Sequence, residues 1–128
     1  MQPITVFGTG DQTRSFCYVT DEIEGLLKLA FYGGKGAVIN IGNPGEFKII
    51  DLAYLVKKLI NSASEISYSP LPQDDPYRRC PDITKAKKIL GWEPQVPLQE
   101  GLSKTIEWFK SRQVIQAANL ASTEPSKN

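Results

Sequence analysis

Ala37-Val38-Ile39-Asn40-Ile41-Gly42-Asn43-Pro44-Gly45 runs from apolar to turn-forming residues within nine positions. Val38, Ile39 and Ile41 are β-branched and favour extended backbone, so the segment Ala37–Ile41 reads as a buried strand interrupted only by Asn40. Gly42 to Gly45 is a strong turn signal. Beyond it, Leu52, Leu55, Val56, Leu59 and Ile60 recur at helical spacing and predict a helix over about 50–60. A strand that passes through a turn into an amphipathic helix is the unit of an α/β fold.

The alternation continues in both directions. Ile4 to Phe7 predicts a short strand closed by Gly8-Thr9-Gly10-Asp11, and Ser15 to Val19 a second strand. Thr20 and Asp21 offer a helix N-cap, with Glu24 completing a capping box. Ile23, Leu26, Leu27 and Ala30 then mark the buried face of a helix that Gly33-Gly34-Lys35-Gly36 ends. Downstream, Ile66 to Ser69 predicts a strand, and Pro70 to Pro81 carries four of the nine prolines, which excludes a regular helix. Asp82 caps a helix through Ala86, Ile89 and Leu90 that stops at Gly91. A last helix spans about Leu98 to Arg112 and buries Leu102, Ile106 and Phe109. The organisation expected is one folded region, 1–116, and a flexible polar tail, 117–128.

Composition narrows the chemistry. Fifteen basic and fourteen acidic residues leave a net charge of +1, with no electrostatic reason to expect nucleic acid or an anionic membrane as partner. The chain has no histidine, which removes His-dependent triads and most catalytic zinc sites. Two cysteines, Cys17 and Cys80, are too few for a disulfide framework and point to a reducing, cytoplasmic setting. The N-terminus carries no apolar signal segment, and no run approaches membrane-spanning length.

Three segments are candidates for binding. In Gly8-Thr9-Gly10-Asp11-Gln12-Thr13-Arg14, turn amides and a guanidinium donate to oxyanions, although the pattern equally describes a hairpin turn with a surface arginine. The pair Gly8 and Gly10 lacks the third glycine and following helix of a dinucleotide fingerprint. Asn40 to Gly45 lies at a strand's carboxyl end, where ligands collect in α/β folds, or is a plain strand-to-helix turn. Gln73 to Asp82 holds three acids, a tyrosine and two arginines among prolines: a preordered diphosphate site, or a solvated loop with self-paired charges. One coincidence is set aside. Tyr54 and Lys58 match the Tyr-x-x-x-Lys spacing of short-chain dehydrogenases, but point away from the stripe of Leu52, Leu55, Val56 and Leu59.

Residues Pro3 to about Arg112 resemble the C-terminal third of UDP-glucuronate decarboxylases, within the extended short-chain dehydrogenase/reductase and NAD-dependent epimerase/dehydratase family. The segments that carry the resemblance are Gln12-Thr-Arg-Ser-Phe-Cys-Tyr-Val-Thr-Asp21, Asn40-Ile-Gly-Asn-Pro-Gly-Glu-Phe47, Asp74-Asp-Pro76, Arg79-Cys-Pro-Asp-Ile-Thr-Lys-Ala-Lys87 and Leu90-Gly-Trp-Glu-Pro94. The sugar-nucleotide 4,6-dehydratases and 4-epimerases are the near alternatives. The resemblance implies the substrate-binding part of an α/β enzyme whose main Rossmann half lies outside these residues. Such enzymes are lyases: bound NAD oxidises the sugar C4 hydroxyl, the C5 carboxylate is lost, and the returned hydride gives UDP-xylose.

Residue by residue, Arg14 resembles the arginine on the diphosphate, and Arg79 the catalytic arginine beside the sugar carboxylate. An arginine is a poor acid, with a pKa above ~12. The role implied for Arg79 is therefore proton donation, electrostatic stabilisation or orientation of a water. Asp74 and Asp75 match residues near the ribose hydroxyls, and Tyr18, Asn40 and Arg78 complete the expected substrate-binding set. Cys80 stands where a basic residue is usual, and Lys48 where a capping threonine is common. No Gly-x-x-Gly-x-x-Gly loop occurs in this sequence, and no Tyr-x-x-x-Lys other than the set-aside pair. The expectation is an inactive UDP-sugar-binding piece that binds no NAD alone. It would pair with an N-terminal NAD-binding domain or subunit and form homo-oligomers, dimers among them, through the strand edges near Arg14 and Asn40. A stand-alone, non-catalytic UDP-sugar-binding module is the alternative.

Overall fold

The computed structural model describes residues 2–121 as two small β ribbons joined by helices. Strand β1 (Ile4–Phe7) pairs in parallel with β4 (Ile66–Ser69), and β2 (Thr13–Ser15) pairs antiparallel with β3 (Glu46–Lys48). Helix α1 (Val19–Tyr32) follows β2, α2 (Ile49–Leu59) follows β3 without a gap, and α3 (Leu98–Ala121) ends the described chain. Between β4 and α3 lies a π-helical turn, Ala86–Leu90.

Val6, fully buried, and Ala53 anchor the interface between β1 and α2. Gly10 takes a positive φ of 80° at the end of the first turn, and a side chain there would sit 2.8 Å from Ile50 Cβ and 2.9 Å from Val6 Cγ1. Glycine is thus required for α2 to close on β1. A second core gathers Ile39, Ile83, Ala86, Leu90 and Trp92, with Cys17, Leu29 and Ile41 packed around it. Asp82 Oδ1 accepts the Thr84 amide (2.9 Å) and hydroxyl (2.6 Å), and Gly91 closes the turn in the left-handed region, as the sequence predicts.

Several expectations are corrected. Helix α1 begins at Val19 with Tyr18 as an N-cap that makes no side-chain bond, so there is no capping box. Asp21 instead turns inward. Its Oδ2 accepts the amides of Gln95 (3.0 Å) and Val96 (2.8 Å), and its carbonyl accepts the Trp92 indole (3.1 Å). These anchors decide which side of α1 is inside. Gly25 faces Trp92 and Ile41 so closely that a Cβ would meet Ile41 Cγ2 at 2.5 Å. The stripe predicted to be buried is consequently outside: Ile23, Leu26 and Leu27 are each at least half exposed.

Ala37–Ile41 forms no strand, because no described strand lies beside it to complete a ladder; Ile39 is buried and Val38 is 80% exposed. The strand predicted at Ser15–Val19 lies earlier, as β2. Helix α3 runs past Arg112 to Ala121, and Phe109 on it is exposed rather than buried. The tail expected from 117 thus begins within α3, and its residues 122–128 lie outside the described residues. Tyr54 and Lys58 are both exposed on α2, as the periodicity predicts. Among the described residues no helix is long and apolar enough to cross a membrane.

Candidate functional site

The proline-rich segment 73–81 lies along the edge of β2 and is tied to it at successive residues. The Thr13 amide donates to the Tyr77 carbonyl (2.9 Å), and the Ser15 hydroxyl to the Arg79 carbonyl (3.2 Å). Thr13 and Arg78 form an isolated parallel bridge. The edge of β2 near Arg14 is therefore covered on both sides, by β3 and by this segment. The sequence reading expects an open edge there.

This arrangement brings Arg14, Asp74, Asp75 and Arg79 to one cavity of about 450 Å³, floored by Phe7 and Gln12. Arg14 is half-buried and pairs with Asp75 Oδ1 at 2.5 Å, while its Nη1 donates to the Thr13 carbonyl (2.7 Å). Gln12 is buried, and its amide donates to the Phe7 carbonyl (2.8 Å), which ties the two ribbons under the cavity. Asp74 holds a positive φ of 64°, an uncommon conformation for a non-glycine residue. Arg79 is exposed, and no described acid pairs with its guanidinium. It is the uncompensated cation of the cavity.

A second cavity of about 720 Å³ shares two of these residues, Arg14 and Arg79, and is lined by Cys17, Glu22, Asn43 and Arg78 among others. Arg14 and Arg79 belong to both cavities. Burial pushes the Cys17 thiol up to about 12, with a hydrogen bond to Glu22 adding to the effect, so this wall carries a neutral thiol at physiological pH.

Arg78 does not share the free state of its neighbour. Its Nε donates to Glu46 Oε1 (2.7 Å) and its Nη2 to Glu46 Oε2 (2.5 Å), while the Thr13 hydroxyl donates to the same Oε1 (2.8 Å). Glu46 is held below its ordinary carboxylate range by the Arg78 bond first and Thr13 second, and Arg78 is raised in turn. Glu46 is absent from the sequence-derived site. Its signal was its place beside Asn43-Pro44-Gly45, but nothing local to it announces a partner 32 residues away.

The two remaining candidates lie elsewhere. Tyr18 lines an apolar cleft of about 220 Å³ with Leu52, Val56 and Leu102, packs on Gly101, and has Lys104 5.5 Å from its ring. Asn40 is exposed and donates to the Asp82 carbonyl (3.2 Å).

The Gly8–Gly10 turn is not a dinucleotide-binding turn. It opens onto β2 rather than a helix, so its amides do not converge at a helix N-terminus. Among the described residues no cluster of acids and cysteines would hold a metal ion.

This α/β architecture matches the C-terminal part of the extended short-chain dehydrogenases. It aligns with the UDP-glucuronic acid 4-epimerase of Bacillus cereus, solved with UDP-glucuronic acid and NAD (TM-score 0.79, 31% identity, 85% of this chain and 35% of that one). It also aligns with the UDP-glucose 4-epimerase of Thermotoga maritima, solved with UDP-glucose (TM-score 0.82, 34% identity, 87% and 36%). The GDP-mannose 4,6 dehydratase family model matches residues 1–105, and the chain belongs to that family. Among curated relatives, UDP-glucuronic acid decarboxylase 1 of Xenopus tropicalis is 49% identical over 118 residues (92% of this chain). UDP-glucuronic acid decarboxylase 5 of Arabidopsis thaliana is 52% identical over 111 (87%). The chain spans 28% and 32% of the length of these two relatives.

Proposed function

We propose that this chain is the nucleotide-sugar-gripping part of an NAD-dependent UDP-glucuronate decarboxylase, and that by itself it turns over nothing. The observation that carries the reading is the seam of two cavities at Arg14 and Arg79. UDP-glucuronate has a matching plan: a dianionic diphosphate with an uncharged nucleoside at one end and a sugar bearing one carboxylate at the other. Guanidinium groups suit the centre because they bind phosphate oxygens in pairs.

In this reading the diphosphate lies on Arg14, and its oxygens replace the Asp75 carboxylate there. Asp75, once released, and Asp74 accept the ribose hydroxyls, with Gln12 and Phe7 beneath the nucleoside. The sugar enters the second cavity, where Arg79 offers its charge to the carboxylate and stabilises negative charge that develops as the carboxylate leaves. Arg78 serves through its neighbour, and Tyr18 and Asn40 stay outside the contact set.

NAD belongs to the parent enzyme and reaches the sugar from another domain or subunit. The exposed apolar stripe of α1, Ile23, Leu26, Leu27 and Phe31, is the surface we assign to that partner, with pairing of two copies as the alternative occupant. The setting proposed is cytoplasmic. A related 4,6-dehydratase or 4-epimerase has the same plan; identity near 50% to decarboxylases favours the reading given.

The test is calorimetric titration of the 128-residue chain with UDP and UDP-glucuronate. Binding of both is expected, weakened at least tenfold by Arg14→Ala, since loss of a charged hydrogen bond costs roughly 1.5–3 kcal/mol. No binding at millimolar ligand sinks the nucleotide site. UDP-xylose formed from UDP-glucuronate and added NAD by the pure chain overturns the claim that it is inactive.

A further inference from the structure

We infer that Glu46 is a positioning residue that locks Arg78 so that Arg79 faces the ligand seam. The inference rests on the nucleotide-sugar reading above. Thr13 bridges Arg78, and the carbonyls on either side of it, Tyr77 and Arg79, are held by the Thr13 amide and the Ser15 hydroxyl. Both arginines line the larger cavity, so Arg78 must be tied back if Arg79 is to meet a ligand there alone.

Arg78 is held by both its Nε and its Nη2 on the two oxygens of one carboxylate, a fork that fixes the guanidinium plane as well as its position. The carboxylate is not free to swing, because the Thr13 hydroxyl donates to it from the adjacent strand (2.8 Å). Glu46 itself stands opposite Ser15 in the β2–β3 ladder, and the Ser15 hydroxyl in turn donates to the Arg79 carbonyl. A further tie comes from Cys80, whose thiol donates to the Pro44 carbonyl (3.3 Å).

The charges around the seam then sort by partner. Arg78 is neutralised by Glu46 and Arg14 by Asp75, which leaves Arg79 as the cation whose charge reaches an incoming anion undiminished. Releasing Glu46 adds a second mobile guanidinium one residue away and loosens the backbone that aims the first. An isolated exposed ion pair contributes little; this one acts by orientation, through its bidentate geometry and its third donor.

The experiment uses the full chain, with UDP-glucuronate and UDP as titrants. Glu46→Gln keeps the shape and the Thr13 acceptor but loses the charge and the fork. Expected are a loss of UDP-glucuronate affinity of about fivefold, a similar loss for Arg78→Gln, and no further loss in the double variant. Melting temperatures of the variants should stay together. Additive losses, or unchanged affinity in Glu46→Gln, overturn the inference. If the unaltered chain binds neither titrant, the nucleotide reading fails, and the lock is read by NMR. An exchange-protected Arg78 Nε–H in the parent chain that is lost in Glu46→Gln supports it. A freely exchanging one in the parent chain overturns it.

Discussion

The β2 edge and the outer face of α1 lie a few residues apart in sequence and are finished to very different degrees. Along the edge, Thr13, Ser15, Arg78 and Cys80 donate hydrogen bonds that end on acceptors within the chain, Glu46 among them. On the outer stripe of α1, Phe31 is 77% exposed, and Ile23, Leu26 and Leu27 are each at least half exposed. Polar bonds are directional and must be closed locally, whereas apolar surface can be covered by anything that excludes water. The contrast separates a surface whose polar groups are satisfied within the chain from one whose apolar groups are left open.

The largest way to break the contrast is to remove what holds α1 in place from within. Trp92 is fully buried between α1 and the π-helical turn, and Trp92→Ala should cost about 3–5 kcal/mol in denaturant unfolding. A cost near zero would mean that α1 is not docked through its inner face. On the outer face the expected effect on folding is small. Leu26→Ser with Leu27→Ser should change the stability of the chain alone by no more than ~0.5 kcal/mol per site. The pair should nonetheless abolish its association with a dinucleotide-binding partner or a second copy in sedimentation. A large stability loss instead would show that the stripe is already covered.

The smallest effect concerns the edge and its pH dependence. Glu46 is depressed from 4.5, so its contribution to the lock is complete above that pH and is lost as pH falls through the lower folded value. Protection of the Arg78 Nε–H should therefore persist from neutrality to about pH 4.5 and disappear in more acid solution. Protection that vanishes near pH 6 would show that the carboxylate is not the acceptor.

How much of this was legible in the sequence follows the same division. Strands β1 and β4, helix α2 with its outward Tyr54 and Lys58, and the Asp82-to-Gly91 turn rest on local signals, and those signals suffice. The face of α1 was misread because periodicity gives the width of an apolar stripe but not what lies against it. Gly25 and Asp21, both unremarkable by hydropathy, mark the true inner side by letting Trp92 approach. Ala37–Ile41 has strand composition, but a strand needs a ladder that composition cannot supply. At the candidate site, Arg14, Asp74, Asp75 and Arg79 line one cavity, and Tyr18 and Asn40 lie apart from it. Glu46 was missed because its meaning depends on a residue from a distant loop.

Asp21 has one more consequence, which belongs to the order of events in folding. Its three bonds reach residues 71, 74 and 75 positions further along the chain. Ordering α1 against the core therefore waits on closure of a long loop, which is slow to form and gains nothing until it closes. During synthesis α1 leaves the ribosome before any of these anchors, and the first of them, Trp92, follows only 71 residues behind Asp21. For all that interval its apolar stripe is free, and a chain stopped short of Trp92 would keep the helix's sequence without the means to dock it.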